Sequence, residues 1–227
     1  MLQEVTAVTW KVFTAKLNTK YHMDLSAFSD DDEGYFTAIL VKKDIAVMQS
    51  SSYQPFTSSA MGRGLQIVEA KIHDVPMTIM TSHLESMKDM ANERQRQFKL
   101  TLSTAKESDI ARVVFVGGDF NLRDKEIPLA GGIPKGFYDC WEQAGSRPEA
   151  KHTWDLQRNT NKQIPGRFQP RCRFDRLYYR SADDIKVTPV YFELVGLEKS
   201  TPLRRFPSDH WGILFHADLT NSTNPVA

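Results

Sequence analysis

Val113-Val114-Phe115-Val116-Gly117-Gly118-Asp119-Phe120-Asn121 is the stretch from which the fold is read. Its first four residues form a short, continuous apolar run, which predicts a strand buried on both faces. Two glycines end the run and place the next polar side chains at the edge of a sheet, where ligand sites usually lie. Asp119 and Asn121, two apart, would project to one side of an extended chain. A carboxylate and a carboxamide on one side suit a hydrolytic site, the first taking a proton from water and the second orienting a substrate oxygen. The competing reading is a β-turn in which Asp and Asn serve turn geometry alone.

Outward from this stretch the chain is rich in strands. Residues 36–41, 45–48, 65–72 and 77–81 are β-prone, and Asp74 fits a turn that joins the last two into a hairpin. Residues 89–106 carry Met90, Phe98, Leu102 and Ala105 at helical spacing on a polar background. Residues 138–144 read as a short helix closed by Gly145. Residues 176–179, 187–195 and 212–219 complete the set of strands, and residues 220–227 form a polar tail. The acidic run Asp30-Asp31-Asp32-Glu33-Gly34 reads as a solvated loop. Many strands with only two or three helices predict an α+β sandwich of two packed mixed sheets flanked by helices.

A chain of 227 residues is natural for one domain, here residues 1–219. Hydrophobic residues at 41% and charged residues at 25% are ordinary for a globular chain and argue against wholesale disorder. The formal net charge is only +1, so a nucleic-acid partner would need a local basic groove. Cys140 and Cys172 are expected as reduced thiols. No apolar run approaches the roughly 20 residues that span a bilayer, so no membrane partner is expected. The start, Met1-Leu2-Gln3-Glu4-Val5, lacks the basic-then-apolar order of a secretory signal, and a soluble intracellular protein is expected.

Two further clusters carry chemistry. Ser208-Asp209-His210-Trp211-Gly212 stands before the terminal strand and offers a hard oxygen ligand beside a donor for a phosphate oxygen. Glu4 follows Leu2-Gln3 near a strand end. Taken singly, each acid is more often a solvated surface charge, and a lone histidine is usually structural.

In this order, Gln3-Glu4, Gly118-Asp119-Phe120-Asn121 and Ser208-Asp209-His210 resemble the endonuclease/exonuclease/phosphatase superfamily. Within it, Glu33-Gly34-Tyr35-Phe36-Thr37-Ala38, Thr81-Ser82-His83-Leu84-Glu85-Ser86, Asn121-Leu122-Arg123-Asp124, Thr153-Trp154-Asp155, Arg173-Phe174-Asp175-Arg176 and Arg205-Phe206-Pro207-Ser208-Asp209-His210 are similar to the 5′-tyrosyl-DNA phosphodiesterases. The resemblance implies magnesium, with manganese as a substitute, held by Glu4 and Asp209. It implies that Asp119 orients or deprotonates the attacking water and that Asn121 holds the scissile phosphate. His83 and His210 would face the phosphate, with Asp175 fixing the tautomer of His210. Trp154 and Phe174 would form an apolar wall against the first bases, and Arg123, Tyr35 and Ser86 would lie near the DNA. The implied partner is a DNA 5′ end carrying a tyrosyl adduct and a single-stranded overhang, as left by a stalled topoisomerase II. The implied location is nuclear, with cytoplasm as a second place. The resemblance also implies an interior strand upstream of Leu2 whose asparagine helps bind phosphate, and residues 1–227 start after it. An impaired DNA-end or protein-binding form, or a related phosphodiesterase with another substrate, is therefore the alternative.

Overall fold

The computed structural model describes residues 1–28 and 34–222. The acidic residues 30–33 and residues 223–227 of the expected tail lie outside the described residues. The chain opens with β1 (Leu2–Thr6), α1 (Ala7–Leu17) and β2 (Tyr21–Asp24). Then come β3 (Tyr35–Lys42), β4 (Ala46–Pro55), β5 (Gly64–Ile72), β6 (Val75–Ser82), α2 (Ala91–Glu107) and β7 (Val113–Asp119). Short elements follow: α3 (Glu126–Leu129), β8 (Tyr138–Asp139), α4 (Cys140–Gln143), β9 (Trp154–Asp155) and β10 (Arg171–Cys172). The chain ends with β11 (Asp175–Arg180), β12 (Ile185–Val195) and β13 (Gly212–Asn221).

Six strands in the order β4-β5-β6-β7-β11-β8 make the larger sheet. All its pairs are antiparallel except β6 with β7, whose parallel pairing requires the crossover that α2 provides. The second layer consists of two pieces, β1-β3-β2 and the hairpin β12-β13. Together they form the expected α+β sandwich.

The apolar run 113–116 is continuous because both faces of β7 are covered. Val114 and Val116 pack with Phe98, Leu102 and Ala105 of α2. Val113 packs with Val187, Phe192 and Leu194 of β12. Val113, Val114 and Val116 are fully buried, and burial of each contributes about 1.5–3 kcal/mol. The β5–β6 hairpin turns where expected, with His73 and Asp74 at φ of 47° and 65°.

Several boundaries differ from expectation. β7 does not stop at the glycines but runs through Asp119, because Gly117 and Gly118 still pair with β11. The stretch 138–144 splits, with Tyr138 and Asp139 pairing with β11 before Asp139 caps α4 by accepting from the Trp141 amide at 2.9 Å. α1 and β2 were not anticipated at all. α1 buries only Trp10 and contains β-branched Val8, Thr9, Val12 and Thr14, so its sequence carries little helical period. What starts it is a reciprocal cap between Thr6 and Thr9, with a threonine where a glutamate would have been recognisable. β13 runs to Asn221, two residues past the expected domain boundary. Both cysteines are free, and no helix among the described residues is long and apolar enough to cross a membrane.

Candidate active site

The site forms where β6, β7 and β11 meet. Parallel pairing brings Thr81 beside Gly117, and antiparallel pairing sets Asp175 opposite Asp119. Gly118, at φ 145°, lies so close to β6 that a Cβ there would overlap the Ser82 carbonyl. This is a position only glycine can fill. The Leu84 amide donates to the Asp119 carbonyl at 2.9 Å, so the His83 loop is tied to the end of β7.

Asp119, His210 and Asp175 form the centre. Asp119 is buried, and its Oδ1 accepts the Asn121 amide at 2.9 Å. Its Oδ2 faces Nε2 of His83 at 3.4 Å and Nε2 of His210 at 3.9 Å. Burial and the negative charges of Asp175 and Glu4 push its pKa up to about 7, against the opposing pull of His210 and the Asn121 amide. His210 meets Asp175 through Nδ1, 2.8 Å from the carboxylate. Burial works against its charge, but Asp175, Asp119 and Asp209 outweigh it and lift the pKa to about 10. His210 is thus an imidazolium whose Nε2–H points toward Asp119.

His83 is its neutral counterpart. Burial, with Arg63 and His210 close by, lowers its pKa to about 3. Nδ1 lies 3.1 Å from the Arg63 guanidinium, which can only donate, so the ring proton sits on Nε2. The 3.4 Å approach to Asp119 is therefore a polar contact of a neutral ring and not an ion pair. Arg63 is buried and also donates to the Tyr35 hydroxyl at 3.0 Å, while Tyr35 stacks on His83 with ring centroids 5.8 Å apart.

The sequence missed Arg63, since an arginine before Gly64 announces nothing. It also missed why β11 sits where it does. The Thr153 hydroxyl accepts from the Phe174 and Asp175 amides at 3.1 and 2.9 Å, and its carbonyl accepts from Trp211 at 2.7 Å. One threonine thereby fixes Asp175 and His210 relative to each other.

The remaining expected residues fall into place unevenly. Asn121 does not continue an extended chain beside Asp119. It turns at φ 52°, with its Nδ2 donating to the Leu84 carbonyl at 3.2 Å, so turn geometry and site position coexist at this pair. Trp154 and Phe174 stand 5.4 Å apart, with centroids 6.4 and 6.5 Å from the His210 ring. They form one wall of the site, Phe174 more buried than Trp154. Glu4 sits in a bulge of β1 at φ 55°, and Gln3 beside it donates to the Thr81 hydroxyl at 2.9 Å across the two layers. Asp209 adjoins His210 but lies 3.9 Å from the Lys162 ammonium. Ser86 touches the Met61 sulfur at 3.4 Å, and the exposed Arg123 is 3.9 Å from Glu126.

A divalent cation suits this set. Asp119, Asp175 and His210 bring possible ligand atoms within 4.8 Å of one another, and Glu4 and Asp209 are not in that group. His210 Nδ1 and one oxygen of Asp175 are already committed to each other, which leaves carboxylate oxygens as the available donors. Oxygen donors are what magnesium prefers. Burial and the negative charges of Asp175 and Glu4 raise the pKa of Asp119 against the pull of His210, so two further acids act on this carboxylate.

Residues 1–210 match the Endonuclease/Exonuclease/phosphatase family. The chain is similar to tyrosyl-DNA phosphodiesterase 2 of Danio rerio, with 40% identity over 187 residues, 82% of this chain and 50% of the relative. The Homo sapiens protein of that name is 40% identical over 189 residues, 83% of this chain and 51% of the relative. The chain thus spans about half the length of the curated relatives it matches. The crystal structure of D. rerio TDP2 complexed with single-strand DNA product superposes with a TM-score of 0.86 at 37% identity, over 93% of this chain and 82% of that one. TDP2 from C. elegans gives 0.82 at 35% identity, over 93% of this chain and 62% of that one.

Proposed function

Because the chain belongs to the endonuclease/exonuclease/phosphatase family, we propose that it hydrolyses the phosphodiester joining a tyrosine side chain to a DNA 5′ end. The observation that carries this reading is the convergence of Asp119, Asp175 and His210 beneath the Trp154–Phe174 wall. The similarity to tyrosyl-DNA phosphodiesterase 2, and to a structure of it with single-strand DNA product, supports the choice of substrate.

Magnesium, or manganese in its place, would be held, as the family resemblance implies, by Glu4 with Asp209 nearby, outside the Asp119–Asp175–His210 group that acts on water and phosphate, and would supply Lewis-acid polarisation of a phosphate oxygen. The chain's own residues do the rest. Asp119, with its pKa near 7, accepts a proton from the attacking water at neutral pH. The water oxygen bonds to phosphorus as the bond to the tyrosine oxygen breaks. His210, kept charged by Asp175, donates through Nε2 to the phosphate oxygen on which negative charge grows. His83 donates from its neutral ring, its tautomer fixed by Arg63, and Asn121 orients the phosphate. The leaving group is a phenolate of pKa about 10, far easier to expel than a sugar alkoxide. The DNA product keeps a 5′ phosphate. Trp154 and Phe174 stack on the first bases and tolerate any sequence, while Tyr35, Ser86 and Arg123 lie along the strand's path. Adducts of stalled topoisomerase II are the biological form of such a substrate, which sets the work in the nucleus, with a cytoplasmic share.

A substrate panel tests the proposal: a 5′-phosphotyrosyl oligonucleotide, an abasic-site duplex, polyadenylate and an inositol phosphate, each with magnesium. Tyrosine release from the first, with little turnover of the others, is expected. Preferential incision at the abasic site would overturn it.

A further inference from the structure

His210 stands on a stretch before β13 that has no helix or strand of its own, yet its ring meets Asp175 at 2.8 Å. The support for that stretch comes from the loop that follows β9. The Asn159 Nδ2 donates to the Ser208 carbonyl at 2.9 Å, and the Asn161 Nδ2 reaches the same carbonyl at 3.1 Å. Asn161 also grips Phe206 in both directions. Its Nδ2 donates to the Phe206 carbonyl at 2.8 Å, and its Oδ1 accepts the Phe206 amide at 3.0 Å. The carboxamide thus does what the peptide group of a neighbouring strand would do. The Asn159 Oδ1 accepts the Asn161 amide at 3.0 Å, which ties the two asparagines together.

The loop that carries them is itself anchored. Asp155 is fully buried, and its carboxylate accepts from the Gln157 amide at 3.1 Å and from Arg171 Nε at 2.9 Å. Its carbonyl accepts the Asn159 amide at 2.8 Å. Asn159 is fully buried as well, so its carboxamide would be costly to leave without partners. On the other side of His210, the Trp211 amide donates to the Thr153 carbonyl at 2.7 Å. Asp209 and His210 therefore lie between two fixed points, Ser208 and Trp211, and both points are held from residues 153–161. The His210 amide closes the turn by donating to the Ser208 hydroxyl at 3.1 Å.

We propose that Asn161, with Asn159 behind it, is a positioning residue of the hydrolysis, acting through the backbone of Phe206 and Ser208 to hold the His210 ring against Asp175 and toward the phosphate. The proposal rests on the hydrolytic reading given above. Asparagine suits the position because the site needs a donor and an acceptor on one short, planar group. Aspartate would still accept from the Phe206 amide, but its second oxygen would face the Phe206 and Ser208 carbonyls. Misplacing a reacting group by about 1 Å lowers a rate on the order of 10²-fold. The wall residues Trp154 and Phe174 are held otherwise, by the β9–β10 pairing and the Thr153 hydroxyl. The clamp therefore governs kcat and leaves KM alone.

The test measures tyrosine release from a 5′-phosphotyrosyl oligonucleotide in magnesium for Asn161→Ala, Asn161→Asp and Gln157→Ala. Gln157 is the control, since its side chain donates to the Gln169 carbonyl within its own loop. Both Asn161 variants are expected to lose roughly ten- to a hundred-fold in kcat with KM within about twofold, and Gln157→Ala is expected to lose neither. In a His210→Gln background, Asn161→Ala is expected to bring no further loss, because the two residues act as one unit. The downfield proton resonance of the His210 Nδ1–H, which needs no substrate, is expected to broaden or vanish in Asn161→Ala and to persist in Gln157→Ala. Asn161→Asp keeps the side-chain size and the Phe206 amide contact, so it reads the same point if the alanine variant does not fold. An unchanged kcat, an equal loss with His210 already replaced, or an unmoved resonance overturns the proposal. No tyrosine release by the unaltered chain sinks the substrate reading instead, and the resonance alone then decides whether Asn161 holds His210.

Discussion

Two histidines of identical intrinsic chemistry sit within reach of one carboxylate and end in opposite states. His210 keeps its proton because Asp175 holds Nδ1 at 2.8 Å, and His83 loses its proton because burial and the positive charges of Arg63 and His210 oppose a charged ring. Asp175→Asn removes the charge that stabilises the His210 cation while keeping the shape of the contact. The loss of a charge-assisted hydrogen bond, about 1.5–3 kcal/mol, is expected to lower kcat for tyrosine release by roughly ten- to a hundred-fold. An unchanged kcat would show that His210 does not act as a cation. At this scale the sequence was legible where short motifs recur. Asp119, Asp175 and His210 stand in such motifs, and the structure brings them together. Arg63 was not legible, because its role arises from the long-range pairing that carries β5 and β6 past each other and sets Gly64 beside His83.

Elements position these residues through buried polar braces. Arg94 of α2 donates to the Glu85 and Met87 carbonyls at 3.1 and 2.8 Å and to the Glu126 carboxylate at 2.8 Å. Glu126 accepts in turn from the Arg123 amide at 2.7 Å. One buried pair therefore locks the loops after β6 and β7, which carry His83 and Asn121. Glu126→Gln leaves the guanidinium without its countercharge, and denaturant unfolding is expected to show a loss of about 3–5 kcal/mol. A loss below about 1 kcal/mol, the range of an exposed pair, would mean the brace is not desolvated as the structure has it. The Trp154–Phe174 wall is a second element-scale feature. Trp154→Ala is expected to weaken binding of a single-stranded 5′ end by roughly 1–3 kcal/mol, equally for all sequences. Reduced thermal stability with unchanged binding would instead make Trp154 a packing residue. β7 and the β5–β6 hairpin were readable because their patterns are local. α1 and β2 were not, since α1 buries a single residue and β2 owes its form to pairing with β3.

For the whole molecule, the larger sheet is continuous, whereas the second layer is in two pieces around an apolar trough lined by Ile79 and Phe115 of the larger sheet, both half-buried. Amides on the trough-facing edges of β1 and β13 are expected to exchange faster than those of residues 113–116, and uniform protection across both layers would contradict this architecture. The sandwich itself was readable from the count and spacing of strands. Its division was not, because which strands pair depends on the neighbours each finds in space. The central claim is that Asp119, raised to about 7 by its buried, negatively charged surroundings, is the base of a phosphodiester hydrolysis. The most direct test is single-turnover release of tyrosine from a 5′-phosphotyrosyl oligonucleotide in magnesium, comparing the chain with its Asp119→Asn variant. The account predicts release by the unaltered chain and a rate lower by about 10²–10⁴ in the variant. Equal rates, or no release from the unaltered chain, would contradict it.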